Sequence, residues 1–306
     1  MKAVYIHIPF CKSICSYCDF CKVFYYPKWS HQYLLKLQEE IEDLYDGETV
    51  KSIYIGGGTP SVLSIKELEF LMDIIRIFKR SENCEFTFEC NLDDIHEEML
   101  HILKQAGVTR LSIGIQSFQK ENLKILGRNH SFMEAKEKMA LIRSCGFMNV
   151  NVDLIYAVPG ENIKMVKDDL KLLLKLQPDH ISTYSLMIEP NTLLWVNGVH
   201  PIAEELDEEM YETICKMLEK KGFIHYEISN FAKEGKESIH NLTYWNNEEY
   251  YGFGLSAAGY IEQIRYTNTK SLTRYLQGNF KGTEEILSKQ DIMDNELMLG
   301  FRKTKG

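Results

Sequence analysis

The chain has 306 residues, 44% of them hydrophobic, and its 44 acidic against 35 basic side chains leave a net charge of −9. That apolar content is enough for one large and one small domain, and the acidic balance argues against nucleic acid as the main partner. His7 and Pro9 interrupt the only apolar start, and no stretch is long and apolar enough to span a bilayer, so no transmembrane segment and a cytoplasmic location are expected.

The first predicted element is a strand over Val4 to Ile8, which Pro9 ends because it lacks an N–H and fixes its own φ. A loop with Cys11, Cys15 and Cys18 follows, and Cys21 lies just beyond. Leu34, Leu37, Ile41 and Leu44 recur at helical spacing and predict a helix over about 30–45. A strand over Lys51 to Ile55 runs straight into Gly56-Gly57-Gly58-Thr59-Pro60. Ser64-x-x-Glu67, Asp94-x-x-Glu97 and Ser131-x-x-Glu134 read as capping boxes opening three further helices. Between them lie predicted strands at Glu85 to Cys90, Arg110 to Gln116 and Asn149 to Ile155. A helix over about 162–176 and a strand from His180 to Met187 complete the series.

Strand and helix alternate, and several helices end in Gly, which supplies the left-handed position after the last turn. This is the pattern of a parallel sheet with right-handed crossovers. Six units are too few for a closed eight-unit barrel. The expected fold is therefore α/β, an open (β/α)6 partial TIM barrel over residues 1–190. Past 190 the rhythm changes. A helix at roughly 204–220, a strand at Phe223 to Ser229, the stretch His240-Asn241-Leu242-Thr243-Tyr244-Trp245 and a last helix from Ser288 to Leu299 suggest a smaller α+β accessory domain. It covers residues 191–306 and reads as incomplete.

The bunched cysteines have three readings. A disulfide framework suits small secreted domains that lack a core. Zinc sites usually draw on two separated ligand pairs, and no later pair appears here. The third reading is a 4Fe-4S cluster, in which thiolates from one loop each hold one iron and the fourth iron stays open. The spacing favours the cluster. Cys84, Cys90, Cys145 and Cys215 are scattered singly and read as buried free thiols. Two carboxylates stand out for a different reason. Glu89 ends the run Phe86-Thr87-Phe88, and Asp153 lies inside Val150-Asn151-Val152-Asp153-Leu154-Ile155. A carboxylate in an apolar strand must be paired or line a cavity.

Cys11-x-x-x-Cys15-x-Tyr17-Cys18 resembles the signature of the radical S-adenosylmethionine (SAM) enzymes. In that family the open iron binds the amino and carboxylate groups of SAM, and a reduced cluster cleaves it to methionine and a 5′-deoxyadenosyl radical. A low-potential electron donor such as flavodoxin or ferredoxin is implied. The run Gly56 to Pro60 resembles the glycine motif that lines the SAM amino-acid moiety.

Ser112-Ile-Gly-Ile-Gln116-Ser117-Phe118, Gly127-Arg128-Asn129-His130 and Asn151-Val-Asp153-Leu-Ile-Tyr-Ala-Val-Pro159-Gly160 resemble the oxygen-independent coproporphyrinogen III oxidase group. That group holds the oxidase itself and the haem chaperone class, HemW. The resemblance implies Cys11, Cys15 and Cys18 as cluster ligands, and Tyr5, Gly57 and Glu89 as contacts to the SAM on the cluster. Tyr17, Gly58, Thr59, Gln116, Arg128 and Asp153 match the surroundings of a second SAM in the oxidase.

Three features point to the chaperone class. Phe20 stands where the oxidase has a further cysteine, and Cys21, one place on, reads as a non-ligand. Only four residues precede Tyr5, whereas the oxidase carries an N-terminal extension. His240-Asn241-x-x-Tyr244-Trp245 resembles the HNxxYW motif of the chaperones, whose histidine is implicated in haem binding. The expected function is haem binding and delivery to acceptor proteins. The alternative is oxidative decarboxylation of coproporphyrinogen III propionates, and a third reading is a radical SAM enzyme acting on another substrate.

Overall fold

The computed structural model describes residues 1–305. Six strands form its centre: β1 (Lys2–Ile8), β2 (Val50–Gly57), β3 (Arg80–Asn91), β4 (Arg110–Gln116), β5 (Val150–Tyr156) and β6 (His180–Ser185). Each pairs in parallel with the next in chain order. Helices connect them, as parallel neighbours require. This is the open (β/α)6 partial barrel expected from the alternation of elements.

Alternation along each strand sorts the side chains onto two faces. Ile53, Ile55, Phe86, Phe88, Leu111, Ile113, Val150 and Val152 all enter one buried apolar core beneath the helices. Burial of each such side chain contributes about 1.5–3 kcal/mol, and this layer holds the sheet together. The alternate positions carry Tyr5, His7, Ser52, Tyr54, Glu85, Glu89, Arg110, Asn151, Asp153 and His180. A face this polar is stable only if its members bond one another or a ligand.

The residues beyond 190 extend the same sheet at both edges. Strands β7 (Ile224–Glu227) and β8 (Asn230–Ala232) add antiparallel to β6 through β8. At the other edge, β9 (Tyr250–Phe253) pairs in parallel with β1. Strands β10 (Ala258–Ile261), β11 (Ile264–Asn268) and β12 (Lys281–Ile286) continue outward, antiparallel, to give twelve strands in one sheet. The sheet thus runs without a break across the change of rhythm at 190.

Two of the three capping boxes are present, at Ser64 with Glu67 and at Ser131 with Glu134. The third is corrected. His96, not Asp94, caps the helix Glu97–Gln105, accepting from Met99 N–H. Asp94 is instead drawn to Lys12 Nζ at 2.5 Å and accepts from Ser61 Oγ at 3.0 Å, so it ties the cysteine loop to the glycine loop. A buried carboxylate facing an ammonium gains more there than at a helix end.

Candidate functional site: a thiol loop over a polar barrel face

The loop after β1 is held by its neighbours. Phe10–Cys11 and Val23–Phe24 form a short parallel ladder. His7 Nε2 bonds the Cys21 carbonyl at 2.8 Å, with its other ring nitrogen 3.0 Å from Tyr5 Oη. Leu194 N–H donates to the Ser16 carbonyl at 3.0 Å, fastening the loop from the opposite side. Cys11, Cys15 and Cys18 are all free thiols. Cys11 and Cys18 lie close enough to feel the charge of Cys15, and burial pushes both thiols up. An iron centre would reverse that shift, because the cation favours thiolate. Among the described residues no three His, Cys, Asp or Glu side chains converge tightly enough to share one metal ion. A cubane binds each thiolate to a different iron and needs the sulfurs farther apart.

The glycine run abuts this loop. Gly57 has φ of 116°, and a Cβ there would lie 2.6 Å from the His7 ring. A Cβ on Gly58 would lie 2.7 Å from the Pro9 carbonyl carbon, so neither position admits a side chain. Thr59 Oγ1 lies 3.6 Å from Cys11 Sγ and accepts from Asn91 Nδ2 at 3.2 Å.

Two groups of expected residues converge at these strand ends. In the first, Glu89 accepts from Tyr54 Oη at 2.6 Å and from Gly57 N–H at 3.1 Å. Tyr5 lies against Tyr54, with ring centroids 6.2 Å apart. Burial pushes the Glu89 carboxyl up to about 7, against the hydrogen bond from Tyr54. In the second group, Arg128 Nη1 donates to Asn91 Oδ1 at 2.7 Å, and its charge acts on Tyr17. Asp153 accepts from Asn151 Nδ2 at 2.7 Å, and burial raises its pKa. Gln116 takes a left-handed φ of 73°. Its Oε1 and the Arg128 Nε are buried without partners. Orphaned polar atoms are costly unless a ligand satisfies them. The donors and acceptors left open here suit the ammonium, carboxylate and ribose hydroxyls of SAM.

His240 lies one layer deeper in the barrel, against Tyr5 and Tyr54 of the first group. It is 1% exposed. Its Nδ1 lies 3.0 Å from Ser52 Oγ and its Nε2 2.8 Å from Tyr244 Oη, while its ring stacks on Tyr54 at 5.0 Å. Glu85 accepts from Ser238 Oγ and from the His240 N–H, at 3.1 and 3.0 Å, which seats the helix Ile239–Trp245 inside the barrel. Burial lowers the His240 pKa to about 3, so the ring is neutral. Both nitrogens are engaged and no open space adjoins them. Axial ligation of haem through Nε2, as the motif suggested, would displace only the Tyr244 hydroxyl and leave the contact of Nδ1 with Ser52 in place. The neighbours Tyr244 and Trp245 do face open space. They line a cavity of about 440 Å³ with Tyr5, Tyr250 and Tyr260, and it reaches Phe20 and Cys21 of the thiol loop.

Tyr54 and Asn91 are residues that motif reading missed, and Asn151 stood in a motif without a role of its own. Each is an ordinary strand residue in sequence. Strand alternation carried the signal for all three, since Tyr54 shares its face with Gly56, and Asn91 and Asn151 share theirs with Glu89 and Asp153.

The radical SAM superfamily model matches residues 5–173. The haem chaperone HemW of Lactococcus lactis is 40% identical over all of this chain and 82% of its own length. HemW of Bacillus subtilis is 41% identical over all of this chain and 84% of its own. The chain belongs to the HemW family of radical SAM proteins. HemW of Escherichia coli is 34% identical over 98% of this chain and 82% of its own length. Membership of the superfamily implies a 4Fe-4S cluster and SAM. Among solved structures, coproporphyrinogen III oxidase of Escherichia coli superposes with a TM-score of 0.88 at 24% identity, covering 98% of this chain and 75% of that one, and the likeness is one of fold. No helix among the described residues is long and apolar enough to cross a membrane.

Proposed function

We propose that this protein is a haem chaperone that binds haem beside a 4Fe-4S cluster and SAM and passes it to acceptor proteins in the cytoplasm. Cys11, Cys15 and Cys18 hold the cluster. Tyr5, Gly57 and Glu89 bind SAM at it, with Gly58 and Thr59 setting the close approach of the glycine run. Tyr17, Gln116, Arg128 and Asp153 form the outer wall of the same site. When bound and reduced by a low-potential donor such as flavodoxin or ferredoxin, cluster and SAM supply one-electron chemistry at the adenosyl group. The residues of this chain orient the SAM. Arg128 favours a carboxylate, Glu89 an ammonium or hydroxyl, and the fastened loop limits water.

The observation that carries the haem reading is the aromatic cavity beside the thiol loop. Its volume of about 440 Å³ and its tyrosine and tryptophan walls suit a flat macrocycle. In this reading His240 is the haem-binding group that the motif implies, with its Nε2 directed at Tyr244 of the cavity wall. It holds Tyr244 in the cavity wall and Tyr54 against Glu89, so one imidazole supports both the haem wall and the SAM site. Phe20 is 64% exposed at the cavity mouth, where the oxidase class has a cysteine. Titrating haem into the cluster-reconstituted protein, with a parallel coproporphyrinogen III turnover assay, tests the reading. Saturable haem binding that is released to an apo-acceptor, without decarboxylation, is expected. Decarboxylation with no saturable haem binding overturns it in favour of the oxidase.

A further inference from the structure

We propose that Tyr244 is a shutter over His240: haem reaches Nε2 of this histidine by displacing the Tyr244 hydroxyl, while Ser52 keeps the ring in the tautomer that iron needs. The inference rests on the haem reading above and names the two residues that would control ligation.

His240 is held from four sides, and three of the holds are fixed. Its N–H donates to Glu85 of β3 at 3.0 Å. Its ring stacks on Tyr54 of β2 at 5.0 Å between centroids, and its Nδ1 lies 3.0 Å from Oγ of Ser52, also on β2. Ser52 and Glu85 are register partners in the parallel sheet, and both are buried. None of these groups moves without disturbing the barrel.

The fourth hold is of a different kind. Tyr244 Oη lies 2.8 Å from Nε2, and Tyr244 stands one turn further along the same short helix. A long side chain on a helix leans back over the turn before its own Cα, so Tyr244 covers His240 by its place in the sequence. Of the four groups Tyr244 is the one that lines the cavity of about 440 Å³, its ring edge-on to Tyr250 at 4.6 Å. Among the described residues its hydroxyl has no other hydrogen-bond partner. A helix permits two χ1 rotamers to such a side chain. Turning the ring into the cavity therefore breaks one hydrogen bond and bares Nε2 on the side where the ligand would lie.

The tautomer follows from donor strength. A phenol is more acidic than an aliphatic hydroxyl and donates more strongly. Burial keeps the Tyr244 phenol protonated and the His240 ring neutral. The phenol therefore donates to Nε2, and Nδ1–H donates to Ser52 Oγ; the contact with the phenol is the shorter of the two. The Nε2 lone pair then lies beneath the shutter, in the form of imidazole that binds a metal. Ser52 stays bonded to Nδ1–H after ligation and fixes the plane and the basicity of the ring, as outer partners of metal-bound histidines do. No oxidant or proton transfer is needed. The nitrogen–iron bond forms as a weakly held axial water leaves, and the phenol turns to the cavity.

The test uses the whole chain with its cluster reconstituted, and ferric haem as the probe. Tyr244→Phe keeps the ring and the cavity wall and removes only the hydroxyl that haem must displace. It should bind haem faster and roughly three- to tenfold more tightly than wild type, with the same Soret band. Ser52→Ala should bind haem roughly tenfold or more weakly. Its haem midpoint potential should also be more positive than that of wild type, because an imidazole without an acceptor at Nδ1–H is a poorer electron donor to iron; a merely structural role would leave the potential where it is. Haem association and affinity that are unchanged or weaker in Tyr244→Phe overturn the shutter. An unmoved potential in Ser52→Ala overturns the role of Ser52. Both outcomes leave the chaperone reading standing, whereas a wild type that takes up no haem at all defeats that reading itself.

Discussion

Replacing Glu89 by Gln should stabilise the SAM-free protein at alkaline pH and cripple SAM binding at the same time. The carboxyl is held at about 7 by burial, against an ordinary value of 4.5. A raised carboxyl contributes stability that is full below about 4.5 and is lost as the pH rises through about 7, because the folded state must then ionise a poorly solvated group. The gap corresponds to at most about 3 kcal/mol, reduced by solvent entering from the site mouth. Gln keeps the shape. Its carbonyl can accept from Gly57 N–H and its amide can donate to Tyr54 Oη, but it does not ionise. Urea denaturation of the cluster-free proteins should therefore show the variant about 1–3 kcal/mol more stable at pH 8 and equal to wild type near pH 4.5. Titration of SAM into the cluster-loaded proteins should show the opposite. A lost charge-assisted contact costs about 1.5–3 kcal/mol, roughly ten- to a hundredfold in Kd. Wild-type affinity should itself fall below about pH 7, where Glu89 is protonated. A stability difference independent of pH, or unchanged SAM affinity in the variant, would refute the argument.

Further substitutions probe the rest of the site. Cys11→Ala, Cys15→Ala and Cys18→Ala should each lose most cluster iron and the broad visible absorption, while Cys21→Ala keeps both; loss of iron from the Cys21 variant alone would reverse the assignment. Gly56→Ala places a Cβ 2.6 Å from the Glu89 carboxyl carbon, so it should weaken SAM binding about as much as Glu89→Ala, and the double variant should be no worse than either, as a thermodynamic cycle on SAM affinity can show. His240→Ala removes a buried ring bonded to Ser52 and Tyr244 and should cost about 2–4 kcal/mol of stability by denaturation, with a shifted Soret band and weaker haem binding in the folded fraction. An unchanged Soret band and affinity in that variant would show that His240 is not the ligand.

Much of the barrel was legible because its signals are local. Apolar alternation gives strands, Ser-x-x-Glu gives two helix starts, and a glycine closes several helices. Glu89 and Asp153 stood out because ionisable groups inside apolar strands have no bland explanation. Asp94 misled for the same local reason, since its spacing to Glu97 fits a cap and nothing nearby reveals that Lys12 and Ser61 claim it. The environment of His240 was not legible either. Its motif sits on a short helix, but its burial depends on Ser52 and Glu85 in strands far earlier in the chain. Strand partners are similarly non-local. Nothing within Tyr250 to Phe253 says that it will lie parallel to β1 and extend the barrel sheet.

The polar barrel face poses one electrostatic problem, and Arg110 answers it. This side chain is 2% exposed and its Nε has no partner. Its charge draws the Glu89 and Asp153 carboxyls down against the burial that raises them. The same charge adds to burial in lowering His180 and His240, which keeps both imidazoles neutral. Without a central cation, the carboxylates would be uncompensated in a low-dielectric interior. Without neutral histidines, Arg110 would face like charges across the barrel. One buried guanidinium therefore lets the strands carry acids at their ends, where a cationic ligand can use them, and keeps the layer beneath as a rigid network of hydrogen-bonded rings. His240 belongs to that layer, and its neutrality follows from its neighbours. A group fixed in this way positions Tyr54 and Tyr244 well.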